Sequence, residues 1–241
     1  MSSVETRRNF VIAGHSGSGK TTLCEAILLA GGAISRIGSI DAKSTVSDFM
    51  ADEQEKQSSI YASVLNCKYN DTELFFVDTP GAHCGTDAER YGVGESIARN
   101  LFELSKLEVP VITVILGEGG SGGALAFAVS DRLAMLENSI YSILSPEGFA
   151  SILWKDKSKA ESASVLMKLT AQDALDHGII DTIIPEPVQG AKKDDGGVMA
   201  KNVSSYIEKC IDELSELTTK KLLNERNKRF RDYGKKCIKK G

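Results

Sequence analysis

The chain has 241 residues, a formal net charge of −4 and 26% charged residues of mixed sign. That length accommodates one large or two small domains with a substantial core, and the charge balance gives the body of the protein no electrostatic footprint for nucleic acid. Cys24, Cys67, Cys84, Cys210 and Cys237 are odd in number, scattered and without a Cys-x-x-Cys pair, which points to a reducing compartment, the cytoplasm, and away from a disulfide framework or zinc site. The polar segment Met1 to Arg8 lacks the apolar core of a secretory signal. The longest apolar stretches, such as Val109 to Leu116, have strand length, well short of the roughly 20 residues of a membrane helix.

The first apolar run, Phe10-Val11-Ile12-Ala13, opens into Gly14-His15-Ser16-Gly17-Ser18-Gly19-Lys20-Thr21 and then a helical pattern from Thr22 to Ala30. Strand, glycine loop and helix in this order match the phosphate-cradling loop GxxxxGK[ST]. Its glycines turn successive N–H groups toward phosphates, Lys20 reaches the outer phosphates and Thr21 ligands magnesium. The bland alternative is a glycine-rich turn carrying a chance lysine. Gly31-Gly32 stops the helix, and the polar stretch Ser35 to Ser59 predicts a mobile loop. Ile60 to Tyr69 and Glu73 to Val77 predict a hairpin turning at Asn70-Asp71-Thr72. It ends in Asp78-Thr79-Pro80-Gly81, a DxxG pattern in which Asp78 would hold magnesium through water and Gly81 would sense a terminal phosphate.

Residues 8 to 81 resemble the start of the GTP-binding domain of elongation factor G, through Arg8 to His15, the glycine loop and Thr45-Val46-Ser47-Asp48. The resemblance implies Mg-GTP or Mg-ATP bound by Gly14, Gly17, Gly19, Lys20, Thr21, Thr22, Asp78 and Gly81, with Thr21 and Asp78 at the metal. The sequence departs from that family at Lys56-Gln57, where an arginine-glycine pair is usual, and at Ala82, where histidine is usual. No Asn-Lys-x-Asp motif follows to read guanine.

Beyond Asp78 the pattern changes. Ala88 to Leu107 predicts a helix, with Ile97, Leu101 and Leu104 at three- and four-residue steps. Val111 to Leu116 predicts a buried strand that runs into Gly117-Glu118-Gly119-Gly120-Ser121-Gly122-Gly123-Ala124 and a small-residue helix, Leu125 to Val129. Adjacent N–H groups at such a helix start can stabilise a developing oxyanion; on spacing alone, tight helix-on-strand packing explains the glycines as well. Ser145 and Ser151 have no His and Asp in a triad-like setting. His15, His83 and His177 lack metal-ligand spacing. Trp154 reads as core or subunit interface. Gln189 to Gly197 predicts a loop, and Glu208 to Tyr233 a terminal helical segment.

The second half, residues 77 to about 235, resembles the carboxyltransferase alpha subunit of bacterial acetyl-CoA carboxylase. The runs that carry the likeness are Asp78 to Ala82, Glu95 to Leu101, Gly117 to Ala124, Met135 to Asn138, Ser145 to Gly148, Ser151 to Lys155 and Ile183 to Pro187, together with Gly190-Ala191-Lys192-Lys193, where the family has Gly-Ala-His-Arg. The resemblance implies an α/β crotonase-like (ClpP/crotonase) spiral of strand-strand-helix turns, here joined to a P-loop NTPase-like βα N-terminal part. The implied activity is transfer of a carboxyl group from carboxybiotin, held on a biotin carboxyl carrier protein, to acetyl-CoA, giving malonyl-CoA for fatty acid biosynthesis. A beta subunit would complete the acyl-CoA site in an alpha-two beta-two hetero-oligomer. Gly119, Gly120, Gly122 and Gly123 fall on the family's oxyanion loop, which would hold the biotin carbonyl as negative charge develops on the ureido group. The biotin enolate then serves as base, so no charged side chain is needed, and Glu118, Glu147 and Lys155 read as loop-ordering residues.

Two segments follow, 1–81 as a P-loop GTPase-like portion and 78–241 as a carboxyltransferase portion with a C-terminal helix. A chimera joined at the shared Asp-Thr-Pro-Gly turn accounts for both. Three readings stand: a carboxyltransferase subunit, a P-loop nucleotide-binding protein, and an inactive hybrid.

Overall fold

The computed structural model describes residues 7–13, 19–56, 63–79, 86–90, 92–187 and 197–235. The chain divides into two compact units, Met1–His83 and Cys84–Gly241.

The first unit is built on a three-stranded sheet of β1 (Arg7–Ala13), β2 (Ser63–Tyr69) and β3 (Thr72–Thr79) in the order β1-β3-β2. The expected hairpin is present: β2 and β3 pair antiparallel, and Asn70 supplies the left-handed turn residue at φ 51°, a conformation asparagine tolerates. β1 lies parallel to β3, with Ile12 opposite Asp78. That pairing requires a crossover, which runs through α1 (Lys20–Ala30). Alternation along β2 buries Leu65 and leaves Val64 exposed. Leu65 joins Ile12, Cys24, Leu28 and Phe76 in one core, where Phe10 stacks on Phe76 at 5.1 Å.

The stretch expected as a mobile loop is tied down. Glu25 of α1 is buried and accepts hydrogen bonds from the N–H groups of Gly38 (2.7 Å) and Val46 (2.6 Å). A short helix α2 (Ala51–Lys56) follows. Composition misses this anchoring because polar residues, Thr45, Ser47, Asp48 and Glu53, are the buried ones.

In the second unit the predicted helix from Ala88 to Leu107 is broken at Gly92, left-handed at φ 78°, into α3 (Thr86–Arg90) and α4 (Val93–Lys106). Strand-strand-helix turns then follow. β4 (Ile112–Ile115), β5 (Glu118–Gly120) and α5 (Ser121–Ala128) form one turn; β6 (Arg132–Leu136), β7 (Ile140–Ser142) and α6 (Pro146–Trp154) form the next. The first strand of each turn enters a parallel sheet, β4-β6-β8, with β8 being Thr182–Ile184; the second strands form a parallel ladder, β5-β7. β6 is the central strand and is buried on both faces. Leu133 and Met135 pack toward Ala171 and Ala174 of α8 (Ala171–Asp176), while Ala134 and Leu136 pack with Met199, Val203 and Tyr206 of α9 (Val198–Ser215). Between α6 and α8 lie a 3₁₀ turn at Lys157–Lys159 and α7 (Ala160–Met167).

The predicted terminal helical segment is two helices, α9 and α10 (Thr219–Asp232). Two arginines lock α10 to the sheet. Arg226 donates to both Asp131 carboxylate oxygens (2.9 and 2.6 Å) and to the carbonyls of Leu104, Leu107 and Val109. Arg229 donates from Nη1 to both oxygens of Asp181 at 2.5 and 2.7 Å. Asp131 and Asp181 in turn accept from the N–H groups of Val111 and Leu133, at the strand starts.

Candidate oxyanion loop

The turn between β5 and α5 brings Gly119, Gly120, Gly122 and Gly123 together. Gly119 pairs with Tyr141 and Gly120 with Ser142 in the parallel ladder, while Ile140 donates its N–H to the Gly117 carbonyl at 2.9 Å. The glycines differ in what surrounds them. A Cβ on Gly119 would lie 3.1 Å from the Tyr141 ring and 3.2 Å from Ile115, and one on Gly122 would lie 3.0 Å from Ile97 of α4. At Gly120 a Cβ would meet nothing within 4 Å. Tight packing thus accounts for Gly119 and Gly122, while Gly120 has open space beside it.

α5 begins without a side-chain cap at Gly120. The first N–H groups of a helix have no acceptor within it, and the helix dipole favours negative charge at that end. Ser121, first residue of the helix, is left-handed at φ 57°; for a residue with a Cβ this conformation costs about 1 kcal/mol or more and makes the sharp reversal that separates strand from helix. Behind the loop, burial and the nearby Tyr233 push the Tyr141 hydroxyl up to about 12, so it stays neutral.

Other residues singled out in the sequence have structural roles or stay at the surface. Ser145 caps α6, its Oγ accepting from the Gly148 N–H at 3.1 Å, with Pro146 at the first helical position. Helix chemistry therefore explains Ser-Pro-Glu-Gly. Glu118, Glu147 and Lys155 are exposed; Lys155 is the left-handed residue that ends α6. His177 lies 2.7 Å from the Asp173 carbonyl through Nδ1. Trp154 is half-buried, edge-on to Phe149 at 6.4 Å. Among the described residues no group of three or more His, Cys, Asp or Glu is arranged to hold a metal, and no helix is long and apolar enough to cross a membrane.

For the nucleotide motif, Gly14, Gly17 and Gly81, with His15 and His83, lie outside the described residues, as does most of the loop expected at Gln189 to Gly197. Gly19, left-handed at φ 83°, precedes Lys20 at the head of α1; Thr21 is buried and Thr22 exposed. Asp78 lies on β3, one strand over from the end of β1.

The architecture gives the fold class first. The chain superposes on a chain of the Pseudomonas malonate decarboxylase MdcD-MdcE hetero-dimer with a TM-score of 0.54 at 12% identity, over 79% of this chain and 89% of that one, so the two share an α/β fold. Sequence gives the family: residues 39–234 match the acetyl co-enzyme A carboxylase carboxyltransferase-like family, and the chain belongs to it. Similar proteins include the acetyl-coenzyme A carboxylase carboxyl transferase subunit alpha of Clostridium acetobutylicum, 52% identical over 70% of this chain and 61% of the relative, and that of Clostridium botulinum, 50% identical over 69% and 61%. A protein of Natranaerobius thermophilus named as subunits beta/alpha is 53% identical over 70% of this chain and 28% of its own length. The chain thus spans about 61% of the alpha relatives it matches. The family match also corrects an extent: it starts at residue 39, not 77, so residues 39–81, read from sequence as part of a GTPase-like opening, fall within it.

Proposed function

We propose that the chain is an alpha-type carboxyltransferase component that transfers a carboxyl group from carboxybiotin on a carrier protein to acetyl-CoA, forming malonyl-CoA together with a beta subunit in the cytoplasm. The observation that carries this reading is the β5–α5 turn, packed behind Gly119 and Gly122 and open at Gly120. Carboxybiotin fits it as a substrate, because its ureido oxygen is a neutral acceptor that gains charge as the carboxyl group leaves. N–H groups at the head of α5 would donate to that oxygen, an interaction stronger in the transition state than in the ground state. Removing one such donor typically costs about 10²–10³ in rate.

The test is malonyl-CoA formation from acetyl-CoA and a carboxylated biotin carrier by this chain mixed with the beta subunit of Clostridium acetobutylicum. The mixture should be active and each component alone inactive, and Gly120→Leu should remove activity while leaving the unfolding midpoint unchanged. An active Gly120→Leu variant would overturn the role given to the loop.

A second reading, nucleotide binding by the first unit, is favoured by the β1–β3 pairing that sets Asp78 beside the end of the strand leading to Gly14, Gly17, Gly19, Lys20, Thr21 and Thr22. In this reading Thr21 and Asp78 hold magnesium and Gly81 faces the terminal phosphate of GTP or ATP. Equilibrium binding of fluorescent Mg-GTP and Mg-ATP checks it, with binding expected for the unaltered chain and lost in Lys20→Ala; absence of binding by the unaltered chain refutes it.

A further inference from the structure

We infer that Ile97 and Tyr141 are positioning residues for carboxyl transfer, two walls that set where the glycine loop stands; this rests on the carboxyltransferase reading above.

Each wall meets the loop at a glycine that has no room for a side chain. Gly119 lies opposite Tyr141 in the parallel ladder, and a Cβ there would stand 3.1 Å from Tyr141 Cδ2 and 3.2 Å from Ile115 Cδ1. A Cβ on Gly122 would stand 3.0 Å from Ile97 Cδ1 and 3.5 Å from its Cγ2. Gly120, between them in the chain, has nothing within 4 Å of its Cβ position. The stretch that would meet the substrate oxygen therefore takes its place from the contacts on either side of it.

The walls have different foundations. Tyr141 stands on β7, packed against the core that includes Ile115, Leu133 and Met135, and its N–H donates to the Leu169 carbonyl at 2.9 Å. Ile97 is half-buried on α4, a helix none of whose residues is fully buried. Apolar packing alone fixes such a helix weakly, and polar contacts make up the difference. Arg226 of α10 donates to the carbonyls of Leu104 and Leu107, at the C-terminal end of α4, at 3.1 and 2.7 Å. Tyr233, which ends α10, lies close enough to Tyr141 for its charge to raise that hydroxyl. One C-terminal helix thus reaches both walls.

Tight packing explains why positions 119 and 122 are glycine. Positioning demands more, that the atoms which exclude a side chain also govern rate. A donor stabilises a developing charge only at the right distance, and misplacement by about 1 Å can cost about 10²-fold.

The experiment exchanges volume across one wall and tests the other by conservative replacement. kcat and KM for malonyl-CoA formation are measured with the full chain, the beta subunit of Clostridium acetobutylicum and a carboxylated biotin carrier, well below the unfolding midpoint of each variant. Gly122→Ala, whose methyl group presses on Ile97 Cδ1, should lower kcat by about tenfold or more while KM for acetyl-CoA changes by less than about twofold. Ile97→Val deletes that Cδ1. By itself it should also lower kcat, whereas combined with Gly122→Ala it should restore kcat to within about threefold of the unaltered chain. Tyr141→Val should lower kcat by about tenfold or more, and Tyr141→Phe, which keeps the ring, should recover it. If Gly122→Ala keeps its kcat, or if the double variant regains the unfolding midpoint but not kcat, the walls are packing alone and the inference fails while the carboxyltransferase reading stands. If the unaltered mixture forms no malonyl-CoA, that reading fails and the inference falls with it.

Discussion

Replacing Arg226 by methionine tests the junction that holds the C-terminal helix to the sheet. The side chain is 1% exposed and that of its partner Asp131 3%, and all five guanidinium hydrogens have an acceptor: two carboxylate oxygens and three carbonyls at the end of α4 and the approach to β4. Methionine fills similar volume with equal helix propensity, so backbone and packing change little. What remains is a buried carboxylate, still accepting from the Val111 N–H at 2.8 Å but without its counter-charge, and three carbonyls that have lost a donor. Removing one partner of a buried pair costs about 3–5 kcal/mol, a large share of the about 5–15 kcal/mol typical of a whole domain. Asp131→Asn combined with Arg226→Met removes both charges, and should cost at least about 2 kcal/mol less than the sum of the two single variants. Urea unfolding followed by the fluorescence of Trp154, the single tryptophan of the chain, reads the second unit directly. A loss below about 1 kcal/mol for Arg226→Met, or strict additivity in the cycle, would refute the view that this buried pair fastens α10.

Three further outcomes follow from the geometry. Gly122→Ala places a methyl group 3.0 Å from the Ile97 side chain, so it should lower stability by about 1 kcal/mol in thermal unfolding, whereas Gly120→Ala, with open space and an extended φ of −127°, should leave stability within about 0.5 kcal/mol. Glu25→Ala removes the carboxylate that accepts from Gly38 and Val46; proteolysis within residues 35–50 should accelerate and the first unit should lose about 2–4 kcal/mol, two charge-assisted bonds being involved. Burial holds Tyr141 neutral in the folded state up to about 12, while the unfolded side chain ionises near 10; its contribution is complete below pH 10 and is lost as pH rises from 10 to 12. Tyr141→Phe should therefore flatten the fall in unfolding free energy across that interval; an unchanged slope would contradict the assignment.

Much of this molecule is written in local sequence. The β2–β3 hairpin follows from alternating apolar residues around Asn70-Asp71, and the strand-strand-helix rhythm from short apolar runs punctuated by glycine. Gly119 to Gly123 stand out because a run of glycines ahead of a small-residue helix has few physical uses. Where the sequence misleads, the cause is tertiary. Ser35 to Ser59 is polar and without period, so it reads as mobile, yet Glu25 on the preceding helix supplies the acceptors that pin it at Gly38 and Val46. The helix from Ala88 to Leu107 keeps its periodicity through Gly92, and only the left-handed backbone there divides it. Ser145 looks like part of a functional motif and proves to be a helix cap.

The sequence by itself determined the β2–β3 hairpin, the strand and glycine run ahead of α5 and the membership in the carboxyltransferase family, because these depend on neighbours in the chain or on matched runs of residues. Only the tertiary structure decided which glycine faces open space, which polar residues are buried and what Arg226 and Arg229 hold. The arginine contacts span 48 to 122 positions and those of Glu25 span 13 and 21, and contacts at such ranges leave no period for sequence reading to detect.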